Sequence, residues 1–299
     1  MQQHKDFELK NYTSFKIGGK AKNAYFPETN EEFVELLQTL SNPIVLGGMS
    51  NVLVSSVGIS QDVILTKKLN NFAINNNEIY AQAGVMGPIL SRQVSENCLS
   101  GMEFMCGFPG SIGGIVSMNA GAHGQCIAEI FKKATIFNKK TKEIKTFSKE
   151  DMQFQYRKSV ILNNDLIVID ATFELKNKDK NIILEKVKEN NEFRKNKQPN
   201  LSTPNCGSVF KNPQNMSAGK LLEDIGAKDF KIGGAKVYEN HANFIINFDN
   251  ATSYDVSKLM QQMYNKVYEK YLIKLTPEVR FIGDMNEEER IIWNEFLNN

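Results

Sequence analysis

Pro43-Ile-Val-Leu-Gly-Gly-Met-Ser-Asn51 starts as a strand and ends as a loop. The apolar run Ile44 to Leu46 has the length and the branched residues of a short buried strand. Gly47 and Gly48 follow at once, and residues without side chains let a backbone approach a pyrophosphate, whose charge successive N–H groups and the Ser50 hydroxyl can meet. A plain tight turn would use the same residues. The stretch is not the G-x-G-x-x-G fingerprint, so a Rossmann nucleotide site is not indicated. Asp62-Val-Ile-Leu65 supplies a second buried strand beyond the turn. Upstream, Thr29 or Asn30 can cap a helix over 31–40, where Phe33, Leu36, Leu37 and Leu40 recur at helical spacing. These pieces make a small α+β unit.

A second glycine-rich stretch, Gly107-Phe-Pro-Gly-Ser-Ile-Gly-Gly-Ile-Val-Ser-Met-Asn-Ala-Gly-Ala-His-Gly124, weights the reading toward binding. Within it, 109–114 can deliver several backbone donors to phosphates at a helix start. The interleaved Ile112, Ile115, Val116 and Met118 fit poorly with a disordered loop. Two such cradles in adjacent units suit a long cofactor lying between them.

The rest of the chain reads as further α+β structure. A strand is expected over 78–83, then a helix through Ile89, Leu90, Val94 and Leu99 closed by Gly101. Segments 134–138 and 143–147 pattern as a hairpin, and 166–173 as a strand. Ser148 to Asp151 has capping-box spacing, although the short stretch after it does not demand a helix. A linker helix over 181–197 ends before Pro199. A short helix over 217–225 stops at Gly226, a strand covers 242–248, and a long helix opens at Ser253 with an apolar stripe suited to packing on a sheet. Residues 286–299 form a charged amphipathic tail. The domain boundaries expected are 1–70, 71–197 and 198–299.

Composition narrows the function classes. The chain has 299 residues, 41% hydrophobic and 23% charged, with a net charge of +2. That balance describes an ordinary globular protein and is too small to argue for a nucleic-acid surface. No signal peptide and no apolar run of roughly 18 residues is present, so a cytoplasmic protein without membrane insertion is expected. The four cysteines and three histidines show no metal-ligand spacing, so no metal is expected.

Chemistry-bearing residues concentrate in Cys206-Gly-Ser-Val-Phe-Lys-Asn-Pro213, which offers a hydroxyl (Ser208), an ammonium (Lys211) and an amide (Asn212) close together. Arg157 can grip an anion with two donors, although an arginine after an aromatic is commonly a surface residue. Glu278 and Arg280 lie on a strand-like stretch over 277–283. His241 precedes a buried strand. From the residues alone, the pattern is a dinucleotide-binding enzyme with an Arg, Ser, Glu constellation.

These motifs occur in one order. Asn11-Tyr-Thr-Ser-Phe-Lys-Ile-Gly-Gly19 is followed by 46–51, 99–104, 109–114, Met118-Asn-Ala-Gly-Ala122, Tyr156-Arg157, Lys197-Gln-Pro199, 207–213, 218–221, His241-Ala-Asn-Phe-Ile-Ile-Asn247 and Pro277-Glu-Val-Arg-Phe-Ile-Gly283. In that order the chain resembles the UDP-N-acetylenolpyruvoylglucosamine reductase family along nearly its whole length. The resemblance implies an α+β fold with a two-part FAD-binding region of the vanillyl-alcohol oxidase (PCMH) type, followed by an α+β substrate-binding domain. It implies non-covalent FAD, NADPH as co-substrate and a UDP-sugar as substrate, in bacterial peptidoglycan precursor synthesis. It leaves the oligomeric state open, with a monomer favoured.

The resemblance matches Gly47, Gly48, Ser50, Asn51, Gly110, Ser111, Gly113 and Gly114 to FAD-contacting loops, and Arg194 to a residue near FAD. Arg157, Ser208 and Glu278 match catalytic positions, and Lys197, Asn212 and His241 match substrate contacts. Met49 stands where the family usually has a third glycine, a change expected to narrow the phosphate loop while its backbone contacts survive if Met49 needs no positive φ. His123 replaces a usual tyrosine. The spacing from Tyr156 to Leu166 leaves no room for a substrate-covering tyrosine loop, the mark of the shorter subtype. Two rival readings are another FAD oxidase or dehydrogenase of this cofactor fold and a catalytically silent flavin-binding relative; the intact Arg157, Ser208 and Glu278 argue against the second.

Overall fold

The computed structural model describes residues 1–162 and 164–297. The chain divides into two compact units. The first comprises 1–4, 24–48 and 62–194, and the second 5–23, 49–61 and 195–299.

In the first unit, helix α1 (Asn30–Thr39) starts where Thr29 accepts the Glu32 N–H on its side chain. Its apolar face buries Phe33, Leu36 and Leu37. Strand Ile44–Leu46 runs parallel to the end of strand Ile59–Leu65, with Leu46 opposite Leu65. The largest sheet is five-stranded, in the order 144–148, 131–138, 166–174, 78–82, 72–75. Successive side chains on a strand face opposite ways, and the sheet uses both faces. Ile136 and Val168 join the core with helices α2 (Gly87–Glu96) and α3 (Ile112–Ser117). Their neighbours Phe137 and Ile169 join the core with α1. Helix α4 (Lys180–Lys197) completes the element order of this stretch.

One local expectation needs correction and another is met. The helix expected to run through Leu99 ends at Glu96, because Cys98 turns left-handed at φ +60° and sends Leu99 into a short pairing with Asn177. At Ser148 and Asp151 the reciprocal bonds of a capping box form, at 2.8 and 3.3 Å, around a turn with no helix after it.

In the second unit, a four-stranded antiparallel sheet has the order Asn205–Ser208, His241–Asn247, Ala235–Tyr238, Lys231–Ile232. Helix α5 (Ala218–Asp224) ends at Gly226, which takes φ +72°. Helix α6 (Ser253–Tyr271) starts at Thr252, whose side chain and that of Asp255 satisfy each other's backbone N–H. Its stripe of Val256, Leu259, Met260, Met263 and Val267 is buried, as the spacing predicts. The tail is a helix, α7 (Glu287–Leu297), which puts Ile292, Trp293 and Phe296 into the same core. Phe15, Ile17 and Leu53 also enter that core, far in sequence from the rest of it.

A half-buried polar network ties α1 to the five-stranded sheet. Asp170 accepts from Asn30 at 2.9 Å and from the Tyr80 hydroxyl at 3.3 Å, while Gln82 donates to Asn30 at 3.0 Å. Burial raises the Asp170 pKa above the usual aspartate value, more than its hydrogen bonds lower it. The native state therefore holds a proton that the unfolded chain releases, so this group's contribution to stability declines as pH rises from the unfolded to the raised folded value. Asp170→Asn cannot titrate. Its melting temperature relative to the natural protein is expected to rise with pH across that window, and a pH-independent difference in thermal melts would refute the account.

Candidate active site

The two glycine-rich cradles meet within the first unit. Gly48 N–H donates to the Ser111 hydroxyl at 3.1 Å. A Cβ on Gly47 would fall 2.1 Å from that same oxygen, and one on Gly48 would lie 2.9 Å from the Pro109 carbonyl. Glycine is thus required for protein packing here. A Cβ on Gly113 would sit 3.1 Å from the Ala83 Cβ, but one on exposed Gly114 would meet only the Ser111 hydroxyl, at 3.8 Å. Gly110 carries the carbonyl that receives the Gly87 N–H at 2.8 Å.

Arg194 lies against Gly107, where a Cβ would sit 2.7 Å from the Arg194 Cδ. Its Nε is buried without a hydrogen-bond partner, and burial lowers the guanidinium pKa. A buried donor left unmatched is costly, and an anion would satisfy it. The open position at Gly114 and this orphaned guanidinium nitrogen fit a bound dinucleotide.

Arg157 occupies the tight turn Gln155–Lys158, closed by backbone bonds of 2.9 and 3.2 Å. It takes φ +53°, a conformation that favours glycine. Its guanidinium donates to the Gly121 carbonyl at 2.9 Å and lies over the Tyr156 ring at 5.3 Å. Asn119 donates to the Gln155 carbonyl and Ser159 to the Ser117 carbonyl, so the arginine turn is fastened to the loop after α3. His123, on that loop, packs edge-on against Phe193, and burial lowers its pKa.

The second unit brings Ser208 and Glu278 together. Gly207 turns left-handed at φ +80°, and the pairing with strand His241–Asn247 shifts register between Asn205 and Ser208. Beyond Ser208 the chain also pairs with a second segment: Glu278 N–H donates to the Val209 carbonyl at 2.8 Å, Lys211 N–H to the Thr276 carbonyl at 2.9 Å, and Phe210 faces Pro277. Asn51, from the first glycine loop, donates to the Glu278 carbonyl at 3.0 Å and accepts the Arg280 N–H at 3.2 Å. Strand Arg280–Ile282 then runs parallel to Val52–Val54. Ser208 and Glu278 are both half-buried. Cys206, fully buried before them, has its thiol pKa pushed up by burial and by Glu278.

His241 and Asn212 border α5. Asn212 accepts the Ala218 N–H at 3.0 Å, and a Cβ on Gly219 would lie 3.1 Å from the His241 ring. His241 Nδ1 accepts the Asn243 N–H at 3.2 Å, so the neutral ring carries its proton on Nε2. Burial keeps the His241 pKa below its usual value, Glu223 opposes that, and Lys228 and Lys197 add to it. Lys197 itself is exposed at the end of α4.

Met49 corrects one expectation. It takes φ +48° and is 7% exposed, with its carbonyl receiving the Ser14 hydroxyl and N–H. A side chain therefore occupies a glycine-type conformation, compensated by burial. One residue of consequence escaped the sequence reading: Asn243, whose amide is buried inside the apolar run Ala242 to Ile246. A polar side chain at an inward position of a strand was the available signal.

Comparison with known proteins defines the class first. Residues 21–146 match the family model of an FAD binding domain, and residues 198–282 that of the UDP-N-acetylenolpyruvoylglucosamine reductase C-terminal domain. The chain is 42% identical over 286 residues to the UDP-N-acetylenolpyruvoylglucosamine reductase of Caldicellulosiruptor bescii, covering 94% of this chain and 90% of that one. It is 38% identical to the protein of that name from Clostridium botulinum, covering 95% and 94%. The crystal structure of the Thermus caldophilus reductase superposes with a TM-score of 0.81 at 31% identity, over 94% of this chain and 98% of that one. The chain belongs to the UDP-N-acetylenolpyruvoylglucosamine reductase family.

Replacing Met49 by glycine tests the balance at the first cradle. Glycine removes a left-handed cost of about 1–2 kcal/mol but loses a buried side chain worth about 1.5–3 kcal/mol and frees the unfolded chain by about 0.4–1 kcal/mol. Met49→Gly is expected to lose about 1–2 kcal/mol in denaturant melts while still copurifying with flavin. A more stable variant would show that the strain outweighs the burial.

Proposed function

We propose that the chain catalyses the NADPH-dependent, FAD-mediated reduction of UDP-N-acetylenolpyruvoylglucosamine to UDP-N-acetylmuramate, a cytoplasmic step toward bacterial peptidoglycan. The observation that carries this reading is the pairing of the Ser208 and Glu278 segments, with Asn51 of the first glycine loop bonded to the Glu278 carbonyl. FAD, when bound, would accept a hydride from NADPH and deliver it to the enolpyruvyl carbon. Residues 1–70 and 71–197 would hold it through Gly47, Gly48, Ser50, Asn51, Gly110, Ser111, Gly113, Gly114 and Arg194. Residues 198–299 would bind the UDP-sugar through Asn212 and His241, together with Lys197 just before them.

In this reading Arg157 stabilises negative charge developing toward the substrate carboxylate, since a fixed guanidinium needs no reorganisation as charge appears. Glu278 holds the carboxylate-bearing intermediate most readily as the neutral acid. Ser208 gives the final proton at carbon, with Lys211 three residues away to support a hydroxyl that is a weak acid alone.

Arg157→Lys keeps the charge but loses the planar two-donor grip. Turnover is expected to fall more than about tenfold, since one transition-state donor is often worth roughly 3–4 kcal/mol. Normal turnover with an intact flavin spectrum would leave Arg157 a structural role only.

Ser208→Ala separates proton donation from binding. Under anaerobic conditions NADPH should still bleach the flavin. Reoxidation by saturating enolpyruvyl sugar should slow by about 100- to 10,000-fold, the usual worth of a positioned proton donor. If rapid mixing instead finds weaker binding with a nearly normal rate at saturation, Ser208 only holds its loop.

A further inference from the structure

The sheet that carries Ser208 contains a splice made by one side chain. Between Asn205 and Ser208 the edge strand advances three residues while its partner advances two, from Ile246 to Phe244. That is a β-bulge, and bulges re-aim the side chains beside them. Gly207 supplies the left-handed residue it needs, and Asn205 Oδ1 accepts the Gly207 N–H at 2.9 Å. Past the bulge, Val209 N–H still reaches the Asn243 carbonyl at 2.9 Å. At Phe210 the backbone ladder stops and the Asn243 carboxamide continues it. Its Oδ1 accepts the Phe210 N–H at 3.0 Å, and its Nδ2 donates to the Phe210 carbonyl at 2.8 Å.

Only a group with one donor and one acceptor side by side can satisfy both bonds of a single residue. Asn243 is 3% exposed and Phe210 is 1% exposed, so water cannot substitute for it. Phe210 is also the residue that faces Pro277, between the two bonds that join the Ser208 and Glu278 segments. The same Asn243 donates its own N–H to His241 Nδ1.

We propose that Asn243 is a positioning residue for Ser208 and Glu278, holding through Phe210 the register in which the two stand. The proposal rests on the catalytic reading of Ser208 and Glu278. A displacement of about 1 Å at a reacting group can cost on the order of 100-fold in rate, whereas bleaching of the flavin by NADPH does not call on Ser208.

The test compares Asn243→Leu, which removes both bonds, and Asn243→Asp, which keeps an acceptor for Phe210 N–H. Val237→Ala serves as control, a buried position on the neighbouring strand. Thermal melts should fall for Asn243→Leu and for the control alike. Anaerobic bleaching by NADPH should stay near normal in all three. Reoxidation by saturating enolpyruvyl sugar should slow roughly 10- to 100-fold in Asn243→Leu, less in Asn243→Asp, and not in the control. Normal reoxidation in Asn243→Leu, or loss of bound flavin in both Asn243 variants, would overturn the proposal in favour of simple packing. Ser208→Ala, measured alongside, separates the two readings. If it reoxidises normally the catalytic reading fails and takes the proposal with it; if it is slow while the Asn243 variants are normal, only the positioning role fails.

Discussion

Glu278 is held at both ends of its residue: its N–H donates to the Val209 carbonyl and its carbonyl receives the Asn51 amide. Much else in the second unit follows from that double attachment. Segment 276–278 lies beside 209–211 just past the left-handed Gly207, where the ladder to strand His241–Asn247 gives way to bonds from Val209 and Phe210 to Asn243. Strand Arg280–Ile282 continues from the same anchor into a parallel pairing with Val52–Val54. The C-terminal helix packs against both segments, with Phe296 on Phe210 and Trp293 on Phe281. The first of these pairs is edge-on and the second tilted, and such aromatic contacts add specific packing to area burial.

Arg157 and Met49 share a second constraint. Both hold left-handed backbone without being glycine, and both lie beside loops assigned here to ligand binding. Strain of this kind persists only where the surroundings over-determine it. For Met49 the surroundings are its burial and the two bonds from Ser14. For Arg157 they are the closed turn and the bond to Gly121.

Much of the fold was legible in the sequence wherever one physical signal dominated. The stripe of α6, the cap at Thr29 and the stop at Gly226 each follow from local chemistry that tertiary structure did not override. The end of α2 is not legible, because Leu99 continues the helical spacing while the backbone at Cys98 has already turned. The allegiance of Phe15, Ile17 and Leu53 to the C-terminal core has no local signature at all, since long-range packing leaves no periodicity behind. For the candidate site, spacing alone gave residue types without a reaction. The family resemblance supplied the roles, and only the coordinates exposed the Asn243 amide, whose two bonds depend on a bulge invisible in sequence.

The contact of Gly47 and Gly48 with Ser111 also bears on how such a protein can drift over generations. Any side chain at Gly47 would have to evict the Ser111 hydroxyl, and with it the acceptor that Gly48 uses. Neither Gly47 nor Ser111 can then change by itself without passing through a damaged intermediate. These two positions, more than sixty apart in the chain, should accept substitutions only as a matched pair, so that in diverging lineages they behave as one inherited unit.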